Sequence, residues 1–369
     1  MAELLATPIP DSQLPAIDVS AEANRGVTTI SRIEAQVVMA TKRASEFARR
    51  IETDGIRGEA LELLRDDVAH IATTGEALPA AEAIGGLVEL QEAIFSAIER
   101  GGHRVRDARE LFVGAAMTTA MLSRVMQDLG RSHQALSLCR TVYVCADAAE
   151  HTPLQAWARN EMSLISYRTG SIRRALDFAD SAVSITRSSR GSTRAWAWSL
   201  KARAAAAVQG EAETREAIAR ARQARESMVP DDLDDIGGLF DFSEVRQIYY
   251  TAGALVSLEN ASVEAESEAL QAVSFFEGTP GSYATEAGAR SELALARVML
   301  GEIAGAAEAL RPVLELPPER RIAGILDSVA RVQRALTAPH LRLSGEAVDL
   351  RNEIESFRQI SAARAIEAK

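Results

Sequence analysis

The stretch YRTGSIRRALDFADSAVSI, residues 167–185, sets the tightest limit on what this chain can fold into. A glycine interrupts a helical pattern that resumes at once. Ala175 follows five residues after Gly170, and Ala179 and Ala182 follow at steps of four and three. The phrase recurs as DLGRSHQAL around Gly130, AVQGEAETREA around Gly210, LENASVEAESEA around Asn260 and MLGEIAGAAEAL around Gly301. These turn residues are 40, 40, 50 and 41 apart. Four of the five units carry alanine five residues after the turn: Ala135, Ala175, Ala265 and Ala306. The Gly210 unit departs, with Arg215 there and Ala217 two residues on. Gly and Asn tolerate the left-handed backbone that a tight link between two helices needs. A small residue five positions later lets the second helix lie close to the first, and steps of four and three stay on one helix face. Each unit therefore reads as a helical hairpin whose apolar faces are covered by its neighbours.

Helical patterns run almost unbroken from Thr29, for example SRIEAQVVMATKRASEFARRI and RGEALELLRDDVAHI, and no alternating strand pattern occurs. The breaks are short: TDG at 53–55, TTGEALP at 73–79 and RGG at 100–102. Short links imply antiparallel neighbours. The chain is 47% hydrophobic but only 5% aromatic, with Ala and Leu carrying the apolar weight, a mix that favours helix over sheet. The turn-and-ladder spacing resembles the tetratricopeptide repeat (TPR). The fifth unit fits best, with Gly301, Ala306, Leu310, Val313 and Pro318 in the characteristic places. The units are longer than the usual repeat of about 34 residues. The extra ten residues before Asn260 form the acidic loop PDDLDDIGG, 230–238. The expected fold is all-α, a right-handed TPR-like helical-hairpin solenoid. Residues 1–25 are expected to form a flexible tail, 26–110 helices packing on the solenoid, 111–336 the repeats, and 337–369 a capping helix and tail.

Further along, four phrases together resemble one family: LQAWARNEMSLISYRTGS (154–171), DDLDDIGGLFDFSEVRQIYYTAGALVSL (231–258), GSYATEAGARSELALARVMLGEIAGAAEALRPVLELPPERRIAGI (281–325) and LRNEIESF (350–357). They are similar to the C-terminal helical region of actinobacterial Xre/Cro-type helix-turn-helix transcriptional regulators, from about Gly26 to the end. In that family a compact DNA-binding domain comes first. Here about 25 residues precede the matching region, too few for five helices. A helix-turn-helix glycine at Gly75 would place Pro79 inside the recognition helix. The DNA-binding domain is therefore expected to be absent. The resemblance implies the sensor or protein-contact half of a regulator.

The formal net charge of −11 argues against direct nucleic-acid binding. The densest basic stretch, RSSRGSTR at 187–194, reads as a solvated interhelical loop. Cys139 and Cys145 are six apart on one helix, point to different faces, and read as buried thiols of a reducing compartment. The N-terminus has no basic segment before an apolar run, and LFVGAAMTTAML (111–122) is too short to span a bilayer. A cytoplasmic location, with no membrane association, is expected. No phosphate loop, HExxH, GxSxG or zinc-spaced Cys/His set occurs, and the five histidines are scattered. The run Asp231, Asp232, Asp234, Asp235 lacks the EF-hand pattern and reads as a helix-capping loop. No catalytic residue, metal or cofactor is expected.

What remains is a surface. Counted back from each turn, Arg124, Gln127, Trp157, Asn160, Tyr167, Gln247 and Tyr250 fall on the first helix of their hairpins and would line a concave groove. Rings supply contact area, amides can bind a peptide backbone, and arginine can hold a carboxylate. The run ARAAAAV, 202–208, is nearly all alanine apart from Arg203, which makes that part of the groove narrow or deep. Of Trp196 and Trp198, two apart, one is expected in the core and the other toward the groove. The sequence thus points to a non-enzymatic regulatory protein that binds a peptide, a protein segment or a small signal molecule. The alternatives are a regulator acting at DNA through a partner or a basic surface, and an enzyme with a dispersed site. A homodimer is compatible with all three.

Overall fold

The computed structural model describes residues 59–74, 80–277 and 282–360. The chain divides into two compact units, Met1–Thr53 and Asp54–Lys369, and every described residue belongs to the second. The tail expected at 1–25 and the helix expected within 31–51 lie outside the described residues.

Among the described residues the unit is all-helical, with fifteen α-helices and no strand. They are α1 (Glu59–Thr74), α2 (Ala80–Arg100), α3 (Val105–Asp128), α4 (Ser132–Ala148), α5 (Thr152–Arg168), α6 (Ile172–Ile185), α7 (Ser192–Ala206) and α8 (Glu211–Glu226). There follow α9 (Asp232–Ile236), α10 (Glu244–Leu255), α11 (Ser262–Ser274), α12 (Tyr283–Leu300), α13 (Ile303–Leu314), α14 (Ala323–Ala335) and α15 (Gly345–Arg358). Helix α3 runs through the division expected at residue 110 without a break.

The pairing follows chain order. Helices α3 and α4, α5 and α6, α7 and α8, α10 and α11, and α12 and α13 pack as hairpins. The first helices also touch one another in sequence, α3 to α5, α5 to α7, α7 to α10, α10 to α12 and α12 to α14, forming one row. Helix α14 then packs against α3, with Ala323 set against Gly130, so the row closes on itself.

The turn residues explain why the hairpins close. Gly130, Gly170, Asn260 and Gly301 all have left-handed φ values, between +62° and +84°. In the third hairpin the left-handed residue is Gln209, φ +61°, not Gly210, which is the residue before α8 and has φ −83°. Counting from Gln209 restores the pattern that counting from Gly210 lost. The residues five, nine and twelve positions on are Ala135, Cys139 and Val142; Ala175, Ala179 and Ala182; Thr214, Ile218 and Ala221; Ala265, Ala269 and Ala272; and Ala306, Leu310 and Val313. All fifteen are buried. Small residues at the first position allow close interhelical approach. In two hairpins a serine locks it further: Ser123 Oγ donates to the Ala135 carbonyl at 3.0 Å, and Ser163 Oγ to that of Ala175 at 2.8 Å. Cys139 and Cys145 are both free and buried.

The acidic loop has a structural task. Asp231 and Asp234 form a reciprocal capping box on α9. Asp234 also accepts a hydrogen bond from the Ser192 amide at 3.0 Å, and Ser192 Oγ accepts one from the Phe242 amide at 3.0 Å. These bonds tie the loop to the start of α7 and fold Phe240 and Phe242 inward.

Candidate functional site

The first-row helices carry two different interiors. Toward the N-termini of α5 and α7, Trp157 and Trp196 meet edge to face with ring centroids 6.1 Å apart. Phe240 lies 5.7 Å from Trp157, Phe242 stacks 5.8 Å from Trp196, and Tyr250 closes the group 5.4 Å from Phe242. All five are essentially without solvent contact. Trp198 is partly buried, with the Lys201 ammonium 5.5 Å from its ring centroid.

Two to three turns further along the same helices, the row lines a solvent-open cavity of about 300 Å³. Tyr167 and Arg168 enter from α5, Arg203 from α7, Tyr249 from α10 and Glu292 from α12. Helix α14 contributes one stripe at helical spacing: Gly324, Asp327, Ser328, Arg331 and Arg334. Glu292, 3% exposed, anchors the wall. Its Oε1 accepts from Arg331 at 2.6 Å and from Arg203 at 3.2 Å. Its Oε2 is buried with no partner, as is Arg203 Nε. The Arg203 guanidinium lies between two phenol rings, 5.0 Å from the centroid of Tyr167 and 4.7 Å from that of Tyr250.

Glycines make room for these charges. A β-carbon at Gly253 would sit 2.7 Å from Glu292 Oε1, and one at Gly324 would sit 2.9 Å from an Arg168 nitrogen. Behind the wall a second buried carboxylate, Glu161, accepts from Arg124 at 2.6 Å and from Gln127 at 2.5 Å. Gln127 Oε1 in turn accepts from Arg168 at 2.7 Å. The field of this cluster is visible on Tyr250. Burial acts to raise its phenol pKa, but Arg246, Arg203, Arg168 and Arg124 outweigh burial and the net direction is down.

The seven residues expected to line a groove fall into three positions. Tyr167 lines the cavity. Arg124 and Gln127 stand one layer back, in the Glu161 network that holds Arg168. Trp157, Asn160, Gln247 and Tyr250 are buried away from the cavity wall. Trp157 Nε1 reaches the Leu239 carbonyl, Asn160 Nδ2 donates to the Thr193 carbonyl at 3.0 Å, and Gln247 Oε1 accepts from Arg225 at 2.9 Å. The cause is the loop after α9, whose Phe240 and Phe242 cover that end of the row.

Arg168, Arg203, Glu292 and Arg331 were not singled out from the sequence as site residues. Arg203 did carry a signal, as the one charge in an alanine run. Glu292 and Arg331 are ordinary residues of amphipathic helices until the fold joins positions 89 and 39 residues apart. Among the described residues no three His, Cys, Asp or Glu side chains gather to hold a metal ion, and no helix is long and apolar enough to cross a membrane.

No protein-family model matches the chain, and no curated protein matches it in sequence.

Proposed function

We propose that this chain is a right-handed TPR-like helical-hairpin solenoid that acts in the cytoplasm as a non-enzymatic regulatory protein, and that the central cavity is its receptor site for a small signal molecule. One observation carries the reading: the buried Arg203 and Glu292 of α7 and α12 and the half-buried Arg168 and Arg331 of α5 and α14 converge on one cavity, and two polar atoms of the buried pair have no partner. Buried polar atoms without partners cost stability, and a receptor site is where such a cost is retained. The volume suits a small molecule better than a peptide. A ligand there touches α5 and α14, which lie far apart in sequence but adjacent across the closing of the row. Binding then favours the closed row over opened forms, a population shift that a partner protein can read. The likeness to the sensor regions of Xre/Cro-type regulators supports the same reading.

The test is a thermal melt of the purified protein with the small-molecule fraction of a cell extract. A ligand that binds only the folded state raises the melting temperature. The reading expects a rise in the wild type that is abolished in Arg331→Met. A rise of equal size in both, or no rise and no co-purifying small molecule, removes it.

A further inference from the structure

Six charged side chains line the cavity: Arg168, Arg203, Arg331 and the exposed Arg334 against Glu292 and the exposed Asp327. The wall therefore has a formal excess of two positive charges, inside a chain whose net charge is −11. The imbalance is local as well as formal. Arg203 and Arg331 share a single oxygen of one carboxylate, and Arg168 is held by the neutral amide of Gln127 with no ion pair among the described residues. Water can fill the space but brings no compensating charge. Arg168 has only the exposed Asp327 carboxylate acting on it from the same wall, and partly desolvated guanidinium groups short of counter-charge are costly, so an anion that reaches them is bound strongly. Glu292 Oε2 adds a second requirement, because a buried carboxylate oxygen without a partner is an acceptor that lacks a donor.

Resting on the reading that the cavity is the receptor site, we propose that it takes a small organic dianion, a dicarboxylate or a phosphate monoester, that also bears a hydroxyl group. The anionic groups lie on Arg168 of α5 and Arg331 of α14, and the hydroxyl donates to Glu292 Oε2, which is closed to solvent in the ligand-free form, once the carboxylate turns toward the cavity. A monoanion leaves one excess charge unmatched. A nucleic acid or a folded protein segment is too large for about 300 Å³.

The experiment is calorimetric titration at constant ionic strength with five probes: malate, glycerol 3-phosphate, succinate, acetate and putrescine. Malate or glycerol 3-phosphate binds most tightly, and whichever is stronger identifies the source of the dianion. Succinate lacks the hydroxyl and is weaker by roughly tenfold. Acetate and putrescine give no heat. In Arg168→Gln, binding of the preferred dianion falls by at least about tenfold. That variant breaks no ion pair but removes the donor to buried Gln127 Oε1, so its ligand-free melting temperature falls modestly; Arg334→Gln at the exposed rim keeps the wild-type melting temperature and gives a second, smaller loss of binding. Equal binding to wild type and Arg168→Gln overturns the placement. Preference for acetate or putrescine, or no binding by any dianion, overturns the ligand class. In that last case an extract component that raises the melting temperature of the wild type but not of Arg168→Gln leaves the cavity as the receptor site, and its absence removes both readings.

Discussion

Helix α5 carries Trp157 near one end and Arg168 at the other; α7 carries Trp196 and, two turns on, Arg203. The tryptophan ends meet in a dry aromatic group completed by Phe240, Phe242 and Tyr250. The arginine ends meet around Glu292 and a cavity. The aromatic end is held by packing: its rings bury large areas, and their offset and edge contacts add about 0.5–1.5 kcal/mol per pair, although Trp196 Nε1 is buried without a partner. The charged end differs in kind, because there two guanidinium groups share one oxygen of a single buried carboxylate, and the atoms left over, Glu292 Oε2 and Arg203 Nε, belong to ionised groups. One end of each helix packs rings against rings, and the other brings unmatched charge to a cavity, where we propose that a ligand binds.

Several substitutions break or sharpen that contrast. Trp157→Ala and Glu292→Ala are the most damaging. The first opens a cavity at a cost of about 3–5 kcal/mol. The second leaves Arg203 and Arg331 buried without a counter-charge, at a similar cost of about 3–5 kcal/mol. Urea unfolding measures both. The two ends then separate in a further variant. Replacing the charged set by apolar residues of similar volume (Arg203→Met, Glu292→Leu and Arg331→Met together) leaves stability unchanged or raises it by about 1–4 kcal/mol. No such rescue by charge removal exists at the aromatic end.

Gly253→Ala tests the fit of the carboxylate. A β-carbon 2.7 Å from Glu292 Oε1 forces it aside, at about 1–3 kcal/mol, and weakens ligand binding. Gly170→Ala lies at the cavity edge but meets no neighbour, so it costs only the left-handed strain, about 1–2 kcal/mol.

The smallest effect concerns the ladder thiol. Burial, with the nearby Glu161 charge, pushes Cys139 from 9.0 up to about 12. The thiol therefore resists a thiol-specific reagent in the native protein and reacts on unfolding. The unfolded state ionises it first, so its contribution to stability is complete below pH 9.0 and is lost as pH rises toward about 12. In Cys139→Ala that part of the alkaline loss disappears.

The ladder was legible because it is local. A turn residue and small residues at fixed offsets lie within one short phrase, and the backbone dictates the spacing. The one slip, Gly210 for Gln209, arose because glycine is the usual left-handed residue and a glutamine in that conformation leaves no mark in the sequence. The charged site was not legible, because its members have no common spacing. Arg168 precedes a turn, Glu292 sits mid-helix and Arg331 belongs to α14; the packing of α12 on α14 joins the last two, and the return of α14 to α3 brings Arg168 beside them. Trp157 and Tyr250 were drawn toward a groove by their position on the first helices. They are buried because the segment just after the acidic capping loop carries two phenylalanines over them.

The central claim, that the charged end serves a ligand and not the fold, is tested most directly by the melting temperature of the Arg203→Met, Glu292→Leu, Arg331→Met variant with and without the small-molecule fraction of a cell extract. The account predicts a ligand-free melting temperature at or above that of the wild type, and no rise on adding the fraction that raises the wild type. A variant that melts far below the wild type yet still responds to the fraction would contradict it.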